Sequence, residues 1–560
     1  MAGGLLNIVA YGNQNVILNG NPKKTFFKTT YAKYTNFGLQ KFRVDFDGQR
    51  RLRMNEESKF TFRIPRYAEL FMDNYVVVTL PTIWSPIFPP QDCSGVWAPY
   101  EFKWIENLGS KMIKEISISV GGQTLQRLSG DYLLALVQRD FNNVKTDLYD
   151  KMTGNVPELT IPEHAGAKVN SYPNAFFTES PQGAEPSIRS RKLYIPINAW
   201  FNLSSKMAFP LVSLQYNQLQ IDVIMRPVRE LFTIRDVTDI PTLPRVQPNF
   251  NNVYHQFYRF LQSPPDISLS EPPTTDWDTR TDWNADIHLM TTYGFLSEEE
   301  SRVFAANEQK YLFKSVYEWD FKDVTGTQRV ELRNTFGMVS DWMFYFQRSD
   351  IHLRNEWSNY TNWPYGYIPQ DVSPADPSGN YWLDCLHSLP APILPPGIGP
   401  GTNPNHKLTG FHVTGDFNVE NHKDILLNLG ILLDGKYREN MLDEGVYNYV
   451  EKYLRTSGNA PDGLYCYNFC LHTDPFDFQP SGAMNMSKFT NIQLEFNTYV
   501  PPLDPSAQFL TICDPSTNVA IGVNKPSWII YDYNYDLTVL EERYNVLTFV
   551  GGNCGLMYAR

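Results

Sequence analysis

The chain has 560 residues, of which 14% are aromatic and 19% charged, and its net charge is -12. This length allows a large buried core in two to four domains. An acidic chain offers no positive field to a phosphate backbone or an anionic membrane, so the composition argues against direct nucleic-acid binding.

The amino-acid usage is typical of an all-β protein with long, ordered loops. Tyr and Phe number 33 and 35, and the 40 Pro outnumber the 34 Gly. Aromatic residues favour strands, whereas Pro marks loops and strand edges. The six Cys are scattered without a CxxC pair, which indicates buried, reduced thiols rather than a disulfide framework. We expect neither a secretory leader nor a membrane-spanning helix, because the corresponding apolar patterns do not occur.

The chain opens with a segment that has no clear period. Residues 11–37 read YGNQNVILNGNPKKTFFKTTYAKYTNF and mix Asn, Gly and Lys with many aromatic residues. Residues 59–82 then predict two strands around a turn at residues 72–74. The alternation of Ile and Ser in EISISVGGQTLQRL, residues 115–128, predicts a hairpin that turns at its Gly-Gly pair.

The next elements predict a helix on a sheet. In SGDYLLALVQRDF the apolar residues recur at helical spacing behind an N-terminal Ser, which predicts a short helix. Residues 219–226, LQIDVIMR, alternate apolar and polar side chains and predict a half-buried strand. Residues 236–283 carry many Pro and Asp and are predicted to be a linker, so we place a domain boundary near residue 245.

The second half repeats the pattern of the first half. Residues 425–437, ILLNLGILLDGKY, predict a second hairpin with its turn at Asp434-Gly435. Residues 491–496, NIQLEF, alternate in the same way as residues 219–226. A duplicated β unit follows from this order of elements.

No motif of enzymatic or metal chemistry is present in the sequence. The nine His form neither an HxH nor an HExxH pattern, and GxSxG and GxxxxGK[ST] do not occur. We therefore predict no catalytic residue, no cofactor and no metal site. Asp474 and Asp477 in HTDPFDF would suit a hydrolytic carboxylate pair, but Asp is also an ordinary turn residue beside Pro.

One aromatic loop leaves a second functional class open. Its rings either stack on sugars or pack on one another to hold a long loop in place. Asn359 in this loop belongs to an NYT sequon and is a candidate glycosylation acceptor. The alternative function is therefore a carbohydrate-binding β-sandwich protein. The rings of this loop belong to Trp357, Tyr360, Trp363, Tyr365 and Tyr367.

Several stretches stand out in order along the chain. They are the opening MAGGLLNIVAYGNQNVILNGNPKKTFFKTTYAKYTNF, WIENLGSKMIKEISISVGGQTLQRLSGDYL (104–133), YIPINAWFNLSSKMAFPLVSLQYNQ (194–218), YGFLSEEESRVFAANEQKYLF (293–313), PSGAMNMSKF (480–489) and YNVLTFVGGNCGLMYAR (544–560). Together they resemble signature segments of the major capsid proteins of nucleocytoplasmic large DNA viruses.

The resemblance implies an all-β fold of two consecutive eight-stranded jelly rolls, with long loop insertions and a few short helices. It further implies a structural protein without enzymatic activity or cofactor, which forms a homotrimer and packs into an icosahedral shell over an internal membrane. Its expected partners are neighbouring capsomers and minor capsid and penton proteins. The expected location is the virion capsid, assembled in the host cytoplasm.

Combined with the resemblance, the pattern predicts an N-terminal arm (1–45), a first jelly roll (46–245) and a second jelly roll with long tower loops (246–560). Residues 150–190, 350–410 and 440–465 are the loops expected to form the outer tower. We expect the arm to lie on the inner side, where it docks on the subunit base or on a neighbour. The alternative is that its aromatic residues cover one end of the first barrel. The arm residues concerned are Lys23, Lys24, Phe26, Phe27, Tyr31, Tyr34 and Phe37.

Overall fold

The computed structural model shows two sets of antiparallel sheets, one in each half of the chain. It describes residues 15–48, 51–85, 87–88, 98–162, 186–236, 245–262, 278–333, 335–366, 372–374, 411–413, 422–504, 510–517, 519–524 and 529–558.

The first half contains two facing sheets. One has the order β1-β14-β3-β10, with β9 also paired to β3, and the other has the order β2-β11-β7-β8. In β11, alternate side chains are buried, as the sequence pattern predicted. The strands are β1 (Phe37–Val44), β2 (Ser58–Arg63), β3 (Leu70–Leu80), β4 (Ile87–Phe88), β5 (Ala98–Pro99), β6 (Lys103–Trp104), β7 (Ile113–Val120), β8 (Gln123–Ser129), β9 (Arg191–Pro196), β10 (Phe209–Pro210), β11 (Leu219–Met225), β12 (Phe232–Arg235), β13 (Arg245–Val246) and β14 (His288–Leu296).

The second half builds the same pair of sheets. The orders are β15-β27-β17-β22 and β16-β24-β20-β21, while β23 and β28 pair with β17 and β27. The strands are β15 (Gln309–Phe321), β16 (Thr327–Glu331), β17 (Met338–Arg348), β18 (Val372–Pro374), β19 (Phe411–Val413), β20 (Leu426–Leu433), β21 (Lys436–Asp443), β22 (Leu464–Asn468), β23 (Met484–Asn485), β24 (Ile492–Thr498), β25 (Leu510–Cys513), β26 (Ala520–Asn524), β27 (Tyr535–Val550) and β28 (Asn553–Leu556).

The strand orders of the two halves correspond position by position, which is the topology of two consecutive jelly rolls. The predicted hairpins are β7-β8 and β20-β21, and each turns where the sequence predicted. Gly121 and Gly122 have φ angles of 59° and 85°, and Asp434 and Gly435 have 49° and 77°. Positive φ at both central residues matches the twist of a two-residue hairpin. The predicted duplication and fold class are confirmed.

Short helices connect the strands. The predicted helix is α3, and its N-terminal Ser129 accepts a hydrogen bond from the Tyr132 amide at 3.1 Å. The α-helices are α1 (Asn15–Asn19), α2 (Leu108–Met112), α3 (Gly130–Asp140), α4 (Asn143–Thr153), α5 (Pro157–Thr160), α6 (Trp200–Leu203), α7 (Glu298–Ala306) and α8 (Glu451–Arg455), and a π-helical turn, Val446–Val450, precedes α8. The 3₁₀ turns are Ser205–Met207, Leu211–Ser213, Val228–Glu230, Val253–His255, Phe257–Phe260, Ile351–Leu353 and Met486–Lys488.

One local prediction was wrong. Residues 72–74 lie inside β3 rather than in a turn, because the buried Asn74 donates its side-chain amide to the Met72 carbonyl and to Asn202. Residues 440–465 contain the end of β21, the π-helical turn, α8 and the start of β22, and their place in an outer tower stays a prediction. The other two predicted tower loops lie largely outside the described residues.

Strand pairing continues past the predicted boundary at residue 245. β14 pairs with both β1 and β3 of the first half, so the chain passes from the first pair of sheets to the second between β14 and β15. The described part of the predicted linker also packs into the first core, where Phe257 and Phe260 are fully buried. These rings contact Phe232 and Phe102, which an exposed linker would not do. The three predicted domains remain a prediction, and within the predicted arm, β1 is already part of the first sheet.

Asp434 ties the β20-β21 turn to the strand beside it. Its Oδ1 accepts hydrogen bonds from the Thr490 and Asn491 amides at 2.8 and 2.9 Å. These bonds hold the turn against the start of β24.

We predict that Asp434→Ala lowers the free energy of unfolding by about 1–3 kcal/mol, since two amides lose a charged acceptor and Ala tolerates positive φ poorly. Urea denaturation at fixed protein concentration measures the loss. Asp443→Ala, at an exposed position at the end of β21, is the control and is expected to have no measurable effect. Equal stability of both variants would contradict the prediction.

Candidate assembly surfaces

The two jelly rolls meet along a seam, which we define as the contact of α3, α6, β8 and β10 with β15, β17 and β27. Part of the seam is apolar. The ring of Trp200 lies 5.5 Å from that of Tyr311 and 5.6 Å from that of Phe313, and Phe209 meets Phe549 edge-on at 5.1 Å. The burial of these large rings joins the two halves in one continuous core.

A cluster of buried charges lies beside these rings. The guanidinium of Arg139, at the end of α3, donates to Asp341 Oδ1 at 2.5 Å, to Glu542 Oε1 at 3.0 Å and to Asp140 Oδ2 at 2.7 Å. All four of these side chains have no exposed surface. Lys314 Nζ on β15 donates to Glu542 at 2.8 Å. We call these five residues the seam cluster.

The seam cluster connects the halves through specific partners. Arg139 and Asp140 belong to the first jelly roll, whereas Lys314, Asp341 and Glu542 belong to β15, β17 and β27 of the second. Tyr132 of α3 adds a hydrogen bond to Glu542 at 3.0 Å. Because buried charges need closely placed partners, this cluster permits few relative orientations of the two jelly rolls.

Burial and charge act against each other on the three carboxyl groups. Burial raises the pKa of Asp140 to about 6, although Arg139 opposes the shift, and it also raises the pKa of Asp341. Burial favours the neutral form of Glu542 as well, but the charges of Arg139 and Lys314 outweigh it and lower the pKa of Glu542 to about 2. Glu542 therefore stays ionised between Arg139 and Lys314, while Asp140 titrates near pH 6.

The seam cluster was not among the features predicted from the sequence. One feature of the sequence could have predicted the cluster: the charged run Glu541-Glu542-Arg543 lies in the middle of an otherwise apolar strand. Neighbouring residues of a strand face opposite sides, so Glu542 points to the seam while Glu541 accepts hydrogen bonds from Trp342 Nε1 at 2.7 Å and Arg543 Nε at 2.5 Å. Charged residues inside a buried strand thus indicated internal ion pairs.

The aromatic loop is packed rather than presented to solvent. Tyr360 is 3% exposed, its ring lies 4.7 Å from Tyr345, and Trp357 stacks on Arg226. Tyr365 donates a hydrogen bond to a backbone carbonyl, and Trp363 is half-buried. The described rings thus follow the packing interpretation, and they give no support to a sugar-stacking platform.

The remaining residues singled out in the sequence have structural roles. Asn359 is 3% exposed and its Nδ2 donates to the Trp363 carbonyl at 2.8 Å, so the folded chain leaves no room for a glycan there. Asp474 and Asp477 accept hydrogen bonds from amides two residues ahead, at 2.9 and 3.0 Å, as turn residues do. Tyr367 lies outside the described residues.

The described part of the arm that precedes β1 is exposed throughout, from residue 16 to residue 36. Phe26, Phe27, Tyr31 and Tyr34 are between 86% and 99% exposed, and Phe37, which begins β1, is 55% exposed. Within the chain, these aromatic residues therefore do not cover an end of the first barrel. Lys23 and Lys24 are exposed beside them.

A second apolar surface lies on the helical segment before β22. Tyr449, Val450, Tyr453 and Leu454 are 54%, 48%, 88% and 59% exposed. Residues three and four apart are neighbours on a helix surface, which pairs Tyr449 with Tyr453 and Val450 with Leu454. We call these four side chains the helical patch. Contiguous exposed apolar surface is typical of sites where proteins bind one another.

Within the described ranges, no group of three or more His, Cys, Asp or Glu side chains is arranged to hold a metal ion. In the same part of the chain, no helix is long and apolar enough to cross a membrane.

Comparisons with known proteins agree with this architecture. Residues 25–257 match the family described as major capsid protein N-terminus, and residues 300–555 match that described as large eukaryotic DNA virus major capsid protein. The chain is 32% identical to the major capsid protein of Chrysochromulina ericina virus and 23% identical to that of Phaeocystis pouchetii virus, and each comparison covers both chains completely.

Solved structures show the same fold. The chain is similar to the PBCV-1 virus capsid protein of a quasi-atomic capsid model, with 18% identity, a TM-score of 0.58 and coverage of 96% of this chain and 100% of the other. It is also similar to the Faustovirus major capsid protein, with 13% identity, a TM-score of 0.58 and coverage of 93% and 92%. The double jelly roll is thus shared at low sequence identity.

We predict that Glu542→Gln lowers the free energy of unfolding by about 3–5 kcal/mol, because Arg139 and Lys314 lose the ionised partner that compensates their burial. Urea denaturation measures the change. Glu298→Gln is the control, since Glu298 pairs with Arg302 on an exposed helix surface and such pairs contribute little. A loss no greater than that of the control would show that the seam cluster does not stabilise the fold.

We predict that the contribution of Asp140 to the free energy of unfolding is more favourable at pH 5 than at pH 7. A carboxyl group whose pKa is raised by folding binds its proton more tightly in the native state, so its contribution falls as pH rises through about 6. Replacing Asp140 by Asn removes this pH-dependent contribution to stability. The stability difference between wild type and Asp140→Asn should therefore be about 1 kcal/mol larger at pH 5 than at pH 7. A difference that is the same at both pH values would contradict this assignment.

Proposed function

Because this chain belongs to the family of large eukaryotic DNA virus major capsid proteins, we propose that it forms homotrimeric capsomers that tile an icosahedral shell. The observation that supports this proposal is the duplicated jelly roll, whose two copies share one strand order. Three such chains around a threefold axis present six similar corners. Six similar corners allow a single gene product to fill a hexagonal lattice.

The seam cluster supports this role at the level of the subunit. A pseudohexagonal capsomer requires the two jelly rolls of each chain to keep one fixed relation to each other. The buried partners of Arg139 on β17 and β27 fix that relation. A hinge between the two jelly rolls would instead give capsomers of variable outline.

We assign the helical patch to the contact between subunits of one trimer. Obligate interfaces resemble a core cut in half and commonly bury upwards of about 2,000 Å². The four exposed apolar side chains of the patch, with Leu471 nearby at 66% exposure, suit such an interface. Contacts between trimers are expected to be smaller and more polar, so that misplaced capsomers can dissociate during shell growth.

We propose that the arm acts between subunits. Among the described residues of the same chain, nothing covers its exposed aromatic side chains, and its lysines supply local positive charge on an acidic protein. A place on the inner side of the shell, near an internal membrane and beside minor capsid and penton proteins, follows from the family relationship. Assembly in the host cytoplasm and a purely structural, non-enzymatic role are part of the same proposal.

We predict that the purified chain is a trimer and that Tyr453→Asp reduces it to monomers at micromolar concentration, because a charge would be buried without a partner in the interface. Size-exclusion chromatography with light scattering gives the mass, and circular dichroism confirms that the variant is folded. Tyr216→Asp is the control, since Tyr216 is 75% exposed, belongs to the first jelly roll and is not part of the helical patch. A wild-type chain that stays monomeric would overturn the proposed function, whereas a trimeric Tyr453 variant would overturn only the place of the interface.

A further inference from the structure

A large groove runs along the seam between the edge strands of the two jelly rolls. It has a volume of about 800 Å³ and is lined by residues of β8 on one wall and of β15 on the other. At one end the walls are joined by a hydrogen bond from Gln126 Nε2 to the Lys314 carbonyl at 3.2 Å. This volume lies in the range that holds a sizeable ligand or a short peptide segment.

Both walls of the groove are strand edges. β8 is the last strand of its sheet and pairs only with β7, and β15 is the last strand of its sheet and pairs only with β27, among the strands of the described ranges. Such edges present rows of backbone amides and carbonyls on which an extended segment can add as a strand. The groove therefore offers main-chain hydrogen bonds as well as space.

The side chains that line the groove carry more negative charge than their basic neighbours neutralise. Among the described residues, Glu318 and Asp320 on β15 have no salt-bridge partner, although Thr538 donates a hydrogen bond to Asp320 at 2.7 Å. Every basic side chain of the lining, in contrast, pairs with a carboxylate. These pairs are Lys114 with Glu57, Arg127 with Glu115 at 3.9 Å, Arg226 with Asp131 at 3.4 Å and Lys322 with Asp536 at 2.8 Å.

The surroundings of Glu318 make the excess negative charge of the groove energetically unfavourable. Its side chain is open to solvent, yet the groove walls surround it on several sides. This partial burial, together with the like charge of Asp131, raises the pKa of Glu318 to about 7. A cation placed between Glu318 and Asp320 would relieve the repulsion.

The arm carries the complementary charge. Between residues 15 and 36 the chain has four Lys and no Asp or Glu, although the whole protein has a net charge of -12. Residues 25–31, TFFKTTY, combine aromatic and β-branched residues, which favour strands, with a single Lys28 at the centre. The segment from residue 15 to residue 36 can span about 70 Å when extended, which is enough to reach another subunit.

We propose that the seam groove is the docking site for residues 25–31 of a second copy of this chain, which add as a strand along β15 or β8 and place Lys28 between Glu318 and Asp320. The inference rests on the proposed function, since it names the receiving surface of the assembly arm. The second copy belongs to a neighbouring capsomer. Each subunit thereby both gives an arm and receives one.

A labelled synthetic peptide of residues 22–36, titrated with the full-length chain, tests the proposal by fluorescence anisotropy. Saturable binding is expected, and the double variant Glu318→Lys with Asp320→Lys should weaken it roughly tenfold. A peptide with Lys28→Glu should regain affinity for that double variant. The milder pair Glu318→Gln with Asp320→Asn should weaken binding in the same direction, and thermal melting checks that each variant is folded.

Lys206→Glu is the matched control, since Lys206 is exposed outside the groove and the arm. A photo-crosslinking group at position 27 of the peptide should label residues 123–129 or 315–322, as read by mass spectrometry. Absence of binding, labelling elsewhere, or binding insensitive to the groove variants would overturn the inference. Light scattering distinguishes failure of this inference from failure of the proposed function. A trimer that does not bind the peptide refutes the groove as the docking site, whereas a monomer refutes the trimeric capsomer.

Discussion

The ion pairs of Arg139 with Asp341 and Glu542 are the constraint on which the rest of this structure depends. Apolar burial along the seam would hold the two jelly rolls together, but it is roughly non-directional and permits sliding. Buried charges behave differently, since each must keep its partner within hydrogen-bond distance or lose several kcal/mol. The two halves of the chain therefore form one rigid unit with a defined angle between them.

That rigidity determines which surfaces are available for assembly. With the jelly rolls fixed, β8 and β15 are held facing each other and enclose a groove instead of closing into one sheet. The helical patch lies before β22, in the second jelly roll only. The two jelly rolls thus share the order of their main strands but not their surfaces.

Charge is distributed unevenly along this chain, and the distribution suits an assembling protein. The folded body is acidic, its buried acids are compensated in the seam, and the groove keeps two carboxylates without basic partners among the described residues. The arm has the opposite sign. Acidic bodies repel one another in solution, while a basic segment and an acidic surface attract within a Debye length of about 8 Å.

The sequence by itself determined the β class, the two hairpins, the helix α3 and the duplication, because strand alternation and turn chemistry are local and reach only a few residues along the chain. The same local patterns misplaced the turn at residues 72–74 and overlooked β14, which lies beyond a segment that resembles a linker. Only the tertiary structure decided the seam cluster, in which Arg139 meets Glu542 from 403 residues away. It also decided that Asn359 is buried. Contacts at such separations depend on how two complete jelly rolls pack, and no periodicity in the chain encodes that packing.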